Sequence, residues 1–256
     1  MTSAIYRWRA SAYTNRVVLD QADYDLRCEW GFPGLLALSS ISDVAIIVDV
    51  LSFSTAVDIA VANGASVFPY RWKDESAHDF ARARGALLAS DRSGVYSLSP
   101  ASLLSIPAAT ALVLPSPNGS ALSVESRART TLTACLRNCE AVAASVPRYG
   151  RTVAVIPAGE QWPDGAMRPG IEDWIGAGAV LAGLRGRRAP EAELAVAAFE
   201  RFRGDLEGVL TRCGSGKEVI ERGFAADVAL AAAYGASLAV PIVRGDRFVN
   251  ASSLGP

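Results

Sequence analysis

AIIVDVLSFSTAVDIAVANGA, residues 45–65, is the stretch that decides the predicted fold class. Its first four residues, 45–48, are apolar and mostly β-branched, which is typical of a strand buried on both faces. A helical pattern follows and ends at Asn63 and Gly64, two residues that tolerate a left-handed backbone. Residues 66–68 predict a further strand, so the whole stretch indicates a strand–helix–strand unit.

Short apolar runs and helical patterns alternate along the rest of the chain. Further strands are predicted at residues 16–19, 86–89, 111–114, 132–135, 153–156 and 240–243. The last of these is predicted at an edge of the sheet, because Pro241 lacks the N–H group that an inner strand donates. The alternation indicates α/β layers with mostly parallel sheets. Two rounds of such units suggest two similar lobes, residues 1–130 and 131–256.

The composition limits the classes of function that we expect. The chain has 256 residues, enough for one large domain or two small ones, and its formal net charge is −1. A charge near zero gives no indication of a nucleic-acid or membrane-surface partner. Residues 1–13 lack the apolar core of a signal peptide, and no run is long enough for a transmembrane helix. These features predict a cytoplasmic protein.

The cysteine and histidine positions exclude several chemistries. The spacing of the cysteines matches neither a disulfide scaffold nor a zinc knuckle, so we expect buried, reduced thiols at Cys28, Cys135, Cys139 and Cys213. The single histidine, His78, lies in a polar run typical of a solvated helix face, and no G-x-S-x-G elbow accompanies it. Residues 214–217 are not a phosphate loop, because Thr211 stands where that motif needs glycine.

Asp49 directly follows the first strand of the opening stretch. Ligands of open parallel sheets bind at the carboxyl ends of the strands, and Ser54 or Thr55 would cap the next helix there. A carboxylate beside free helix N–H groups can hold a metal ion and a phosphate together. The alternative is a structural role for Asp49 as a cap or hydrogen-bond acceptor. A haloacid-dehalogenase nucleophile motif is excluded, since Leu51 occupies the place of its second aspartate.

Two further segments carry polar side chains at predicted helix starts. After the strand at 111–114, the loop P-S-P-N-G-S ends in Asn118, Gly119 and Ser120. Its N–H groups can be presented to an anion, and an ordinary tight turn is the alternative. Glu172 and Asp173 lie in the first turn of another predicted helix, where acidic side chains also favour the helix dipole.

Taken in order, these motifs resemble those of the 2-phosphosulfolactate phosphatase (ComB-like) family. The similar segments are residues 49–55 for the family's D-V-L-R-A-S-T, 62–65 for A-N-G-A, 90–94 for G-E-R-x-G, 116–120 for T-T-N-G-T and 172–179 for E-D-x-x-G-A-G-A. Late D-V and V-P pairs match residues 227–228 and 240–241. The resemblance therefore covers most of the chain, from about residue 43 to residue 243.

The resemblance implies paired three-layer α/β/α units and a magnesium-dependent phosphatase that acts on the phosphate ester of a small sulfonated hydroxy acid. It implies catalytic roles for Asp49, Asp91 and Glu172. It implies a Mg²⁺ site formed from Asp49, Glu172, Asp173 and Asp227. It implies substrate binding by Ser54, Thr55, Arg92, Asn118, Gly119 and Ser120. At least one of the carboxylates is expected to be purely structural.

Three departures from the family pattern leave alternatives open. Ser52 replaces the arginine of the first motif, Asp91 replaces a glutamate, and Leu98 replaces an asparagine. Losing an arginine removes a bidentate anion clamp. The alternatives are a phosphatase for another small phosphate ester and a non-catalytic protein that binds small anions. The Ala-rich helices near residues 177 and 228 fit either a core or a subunit interface, so assembly into a homo-oligomer is also left as an alternative.

Overall fold

A computed structural model describes residues 18–90 and 94–253. The strands are Leu26–Cys28 (β1), Val44–Val48 (β2), Ser66–Tyr70 (β3), Leu87–Leu88 (β4), Ala111–Pro115 (β5), Thr130–Ala134 (β6), Val153–Pro157 (β7), Glu160–Gln161 (β8), Met167–Arg168 (β9), Pro241–Arg244 (β10) and Arg247–Asn250 (β11). The helices are Gly31–Leu38 (α1), Phe53–Ala62 (α2), Glu75–Ala83 (α3), Gly119–Glu125 (α4), Cys139–Ser145 (α5), Ile171–Ala182 (α6), Pro190–Phe202 (α7), Leu206–Arg212 (α8), Gly214–Glu221 (α9) and Ala225–Ala232 (α10).

Most strands belong to one large mixed sheet. Its strand order is β1-β7-β2-β6-β10-β11-β3-β5-β4, and β8 and β9 form a separate small hairpin. The strands β1, β7, β2 and β6 run parallel to one another, as do β3, β5 and β4. The hairpin β10–β11 lies between these groups and is antiparallel to both neighbours. Three antiparallel pairings, β6 with β10, β10 with β11 and β11 with β3, separate the two parallel groups. The strands of one group therefore run in the opposite direction to those of the other.

The strand β2 shows how helices cover both faces of the sheet. All of its residues are buried. Ile46 and Val48 pack in one cluster with Ile175 of α6, whereas Ile47 packs in another cluster with Leu35 of α1. Successive side chains of a strand point to opposite faces, so apolar helix faces are needed on both sides. The predicted three-layer α/β/α fold with a mostly parallel sheet is confirmed.

Two strand predictions are wrong. The strand that contains Pro241 is not at an edge, because β10 lies between β6 and β11. Pro241 is its first residue, and the ladder contact with β6 is made by Ile242, so the missing N–H of proline does not interrupt the pairing. The first strand is Leu26–Cys28, whereas Val18–Asp20 is a short 3-10 helix. Residues 16 and 17 lie outside the described part of the chain.

Other features bear on the predicted organisation of the chain. Strands from both sides of Thr130 are neighbours in the sheet, since β2 lies between β6 and β7; the division into two lobes at that residue stays a prediction. All four cysteines are buried free thiols, as expected. Among residues 18–90 and 94–253, no helix is both long and apolar enough to cross a lipid bilayer.

Candidate active site

Asp49 lies directly after β2, and main-chain N–H groups hold its carboxylate. Its Oδ1 accepts a hydrogen bond from the Phe53 N–H at 3.1 Å, and its Oδ2 accepts one from the Gly119 N–H at 2.9 Å. The side chain is only 5% exposed. The pKa of Asp49 is raised to about 6 as the net result of burial, which raises it most, of the amide hydrogen bonds, which lower it, and of the negative charge of Glu172, which raises it.

Gly119 is required by the close approach of its backbone to Asp49. A Cβ atom at this position would lie 2.2 Å from Cδ1 of Phe53 and 2.8 Å from Oδ2 of Asp49. Any other residue would therefore displace either a buried aromatic ring or the carboxylate. The loop after β5 thus reaches the end of β2, although the two strands belong to groups that run in opposite directions.

Asp173 connects the ends of β2 and β7 from the first turn of α6. Its Oδ1 accepts a hydrogen bond from the Val50 N–H at 2.7 Å, and its Oδ2 accepts one from the Gly159 N–H at 2.9 Å. Burial raises the pKa of Asp173 well above its usual range, and Glu172 and Asp49 add to that effect. Asp173 therefore holds two strand ends in a fixed relation.

Glu172 is buried beside these groups and contacts a cysteine. Its Oε2 lies 3.5 Å from the Sγ of Cys213, which also accepts a hydrogen bond from the Gly216 N–H at the start of α9. Burial, followed by the charge of Glu172, raises the pKa of Cys213 to about 12. The thiol therefore keeps its proton near neutral pH.

Glu160 belongs to this group of carboxylates, and the sequence reasoning missed it. Its Oε2 accepts a hydrogen bond from Nδ2 of Asn118 at 2.9 Å. Burial raises the pKa of Glu160 to about 7, with further contributions from the charges of Asp49 and Glu172. One signal could have found it: Glu160 follows the end of β7, and β7 pairs in parallel with β2, which ends directly before Asp49.

Two of these carboxylates, Asp49 and Glu160, line one side of a cleft of about 1050 Å³, whereas Glu172 and Asp173 are buried behind its wall. Asp49, Ser52, Asn118 and Glu160 form part of its wall. Among the residues that the structure describes, those with basic side chains in the wall are Lys73, His78 and Arg222. His78 is exposed on α3, as its polar sequence environment predicted, and it also lines this cleft.

The hydroxyl groups predicted to bind substrate have partners within the protein. The Oγ of Ser54 accepts the Asp49 N–H at 2.8 Å, the Oγ1 of Thr55 donates to the Val50 carbonyl, and the Oγ of Ser120 donates to the Leu114 carbonyl. All three side chains are fully buried. They hold the strand ends that carry Asp49 and Asn118, and their predicted role in substrate binding stays a prediction.

The structure separates one predicted ligand from the cluster. The Oδ1 of Asp227 accepts hydrogen bonds from the Ser99 hydroxyl and the Ala101 N–H, at 2.6 and 3.0 Å. Asp227 is fully buried in the first turn of α10 and is not among the residues that line the cleft. These two hydrogen bonds fit a structural cap, and the predicted role of Asp227 as a metal ligand stays a prediction. Asp91 and Arg92 lie outside the described residues, so their predicted roles stay predictions.

Comparison with known proteins identifies the family. The family model described as 2-phosphosulpholactate phosphatase matches residues 32–246. The chain belongs to this family. A protein from Carboxydothermus hydrogenoformans named "Probable 2-phosphosulfolactate phosphatase" is 30% identical over 202 residues, which cover 75% of this chain and 82% of that protein.

As a member of the 2-phosphosulfolactate phosphatase family, the chain is a phosphoric monoester hydrolase. The matched range includes Asp49, Asn118, Glu160, Glu172 and Asp173, so the whole carboxylate cluster lies within the family region. Across the described ranges, no group of three or more His, Cys, Asp or Glu side chains forms a metal site from protein ligands alone.

Proposed function

We propose that the chain hydrolyses 2-phosphosulfolactate to sulfolactate and phosphate in a Mg²⁺-dependent reaction. The observation that supports this most is the position of Asp49, whose carboxylate is held by two amide N–H groups at the wall of the cleft. The charge of Glu172 raises the pKa of Asp49, and the charges of Asp49 and Glu172 raise the pKa of Glu160. A site that gathers carboxylates in this way suits a divalent cation and a phosphate ester.

Mg²⁺ fits the donor atoms of this cluster. Asp49 and Glu172 offer hard carboxylate oxygens, and Mg²⁺ is commonly held by one or two carboxylates together with water and substrate phosphate. A cation between them would offset the repulsion that raises the pKa of Asp49. Asp49 and Glu172 would hold the ion, with Asp173 fixing the strand ends around it. The ion would supply charge neutralisation for the phosphoryl oxygens.

The chain's own residues would position the ester. Asn118 lies at the cleft wall with its side-chain amide directed at Glu160. Arg92 is the proposed anion clamp for the phosphate or for the acid group of the substrate. Asp91 is proposed to act beside it. We also propose that the enzyme works in the cytoplasm, which is consistent with its buried free thiols.

A second candidate function is hydrolysis of another small phosphate ester. Ser52 lies in the cleft wall at the position where the family motif has arginine. A substrate that carries phosphate, carboxylate and sulfonate needs several cationic partners. A site with one arginine fewer would favour an ester that carries fewer anionic groups, such as phosphoglycolate.

The test is phosphate release from a panel of phosphate esters, including 2-phosphosulfolactate and phosphoglycolate, with Mg²⁺ and with a chelator. We expect turnover of 2-phosphosulfolactate that requires Mg²⁺ and is abolished by Asp49→Asn. Turnover of another ester alone would favour the second candidate. Folded protein that releases phosphate from none of the esters would contradict both candidates and leave a non-catalytic anion-binding protein.

A further inference from the structure

Glu160 is held at the cleft wall in a defined orientation. Its Oε2 is bonded to Asn118, the residue that precedes Gly119, and Gly119 in turn binds Asp49. Glu160 is also the first residue of the hairpin β8–β9, where it pairs with Arg168. The carboxyl group is therefore fixed between the loop after β5 and this hairpin, and its Oε1 accepts no hydrogen bond from the described residues.

The groups around Glu160 favour its protonated form. Asp49 at the end of β2 and Glu172 in α6 raise its pKa, after the larger effect of burial. Asn118 and Arg168 act in the opposite direction, and the net result is a pKa of about 7. A cation held by Asp49 and Glu172 would offset their contribution, while burial, the largest cause, would still favour the proton on Glu160 at the wall of the cleft.

Hydrolysis of an alkyl phosphate ester needs a proton at the leaving oxygen, because an alkoxide is a poor leaving group in water. None of the roles assigned above supplies that proton. We propose that Glu160 is the general acid that protonates the ester oxygen as the phosphoryl group leaves. This inference rests on the proposed phosphatase reaction, and it adds a residue that the family motifs do not contain.

The step is balanced as follows. The oxygen of a water molecule forms a new bond to phosphorus, and the bond from phosphorus to the ester oxygen breaks, with its electron pair remaining on that oxygen. Glu160 transfers the proton on Oε1 to the same oxygen, which leaves as an alcohol. Both protons of the water stay on the product, dihydrogen phosphate. Glu160 is then a carboxylate, and it takes up a proton from solvent before the next turnover.

The experiment compares two leaving groups in the Glu160→Gln variant, with Mg²⁺ present. Glutamine has the same size and can still accept the hydrogen bond of Asn118, but it cannot act as an acid. For the best alkyl ester of the panel, we expect kcat to fall on the order of 100-fold. For 4-nitrophenyl phosphate, whose leaving group is stable as an anion, we expect kcat to stay close to that of the wild type. The aryl ester thus also reports that the variant is folded.

A matched control is Glu140→Gln, the same change at a glutamate outside the cleft that accepts a hydrogen bond from the hydroxyl of Tyr234, just after α10. It should leave the ratio of the two rates unchanged. An equal loss of both rates in the Glu160→Gln variant would overturn the proposal, because a positioning role affects both esters alike. The readout is a ratio of the rates with two leaving groups, so it tests the role of Glu160 whichever alkyl ester the enzyme prefers.

The pH profile gives a second readout. A general acid must carry its proton, so alkyl-ester turnover by the wild type should fall as the pH rises through the pKa of Glu160, which is about 7 without the metal ion and is lowered when a cation offsets the charges of Asp49 and Glu172. The same limb should be absent from the Glu160→Gln profile. A limb that persists unchanged in the variant would assign it to another group and overturn the role of Glu160.

Discussion

The substitution Asp49→Asn should change the stability of the fold in opposite directions at low and high pH. The change keeps the shape of the side chain but removes its ability to ionise. Burial raises the pKa of Asp49 from 3.8 to about 6. At about 1.4 kcal/mol per pH unit, this shift corresponds to about 3 kcal/mol of unfolding free energy.

The sign follows from the raised pKa in the folded state. The folded protein binds the Asp49 proton more tightly than the unfolded chain does. The resulting stabilisation is fully present below about pH 4 and is lost as the pH rises through about 6. At pH 8 the ionised carboxylate therefore costs the wild type about 3 kcal/mol, a cost that the Asp49→Asn variant does not have.

The variant has a different cost at every pH. The carboxylate accepts hydrogen bonds from the N–H groups of Phe53 and Gly119. In the variant, one of these N–H groups will face the new amide NH₂ and lose its acceptor. An unsatisfied buried donor costs about 1–3 kcal/mol. We therefore expect the variant to be less stable than the wild type at pH 4, and equally or more stable at pH 8, although it is inactive at both.

Urea unfolding followed by tryptophan fluorescence would measure this difference from pH 4 to pH 8, in chelator so that no metal compensates the charge. The control is Asp43→Asn, because hydrogen bonds from the Arg151 and Thr152 amides lower the pKa of Asp43. That carboxylate stabilises the fold above its unfolded pKa, so its variant should show no gain at pH 8. If the unfolding free energies of Asp49→Asn and the wild type change in parallel with pH, the conclusion that burial raises the pKa of Asp49 is refuted.

Two further substitutions test the cleft. Gly119→Ala should lower the unfolding free energy by about 1–3 kcal/mol and also reduce turnover, because its Cβ would lie 2.2 Å from Phe53 Cδ1 and 2.8 Å from Asp49 Oδ2. Urea unfolding and phosphate release would measure the two effects. The control in both assays is Gly204→Ala, where a Cβ meets no atom within 4 Å. Ser52→Arg should lower KM for 2-phosphosulfolactate more than for phosphoglycolate by restoring an anion clamp, and Ser52→Met controls for size; an unchanged ratio of the two KM values would contradict the clamp argument.

The fold class was predictable because buried parallel strands leave a local signature. The runs at residues 45–48, 111–114 and 153–156 are continuous and apolar, since each strand is covered by helices on both faces, and they became β2, β5 and β7. The end of the helix after Asp49 was equally local, with Asn63 and Gly64 following its last turn. The predicted caps at its start were wrong, because α2 begins at Phe53 and both Ser54 and Thr55 lie inside its first turn. These signals need no knowledge of which strand pairs with which.

The helix α1 and the place of β10 were not predictable in this way. Residues 28–33 contain Trp, Gly and Pro and indicate a loop, yet Gly31–Leu38 is helical with Pro33 in its first turn, a place where proline needs no N–H donor. The inner position of β10 depends on pairing with β6, a strand more than a hundred residues earlier. The rule that places proline in edge strands considers a single strand, and it does not tell which strands will pair with that strand.

The candidate site shows the same difference between what local sequence patterns predict and what depends on the folded chain. By itself, the sequence determined that Asp49, Glu172 and Asp173 stand at strand ends and helix starts, because caps and strand termini have local patterns. Only the tertiary structure decided which of these carboxylates meet, that Asp227 caps a different turn, and that Glu160 joins the group. Glu160 touches Asn118 from 42 residues away, and its raised pKa comes from burial and from charges on other elements. Burial and the summed field of distant charges arise only once the chain has folded, so no local pattern encodes them.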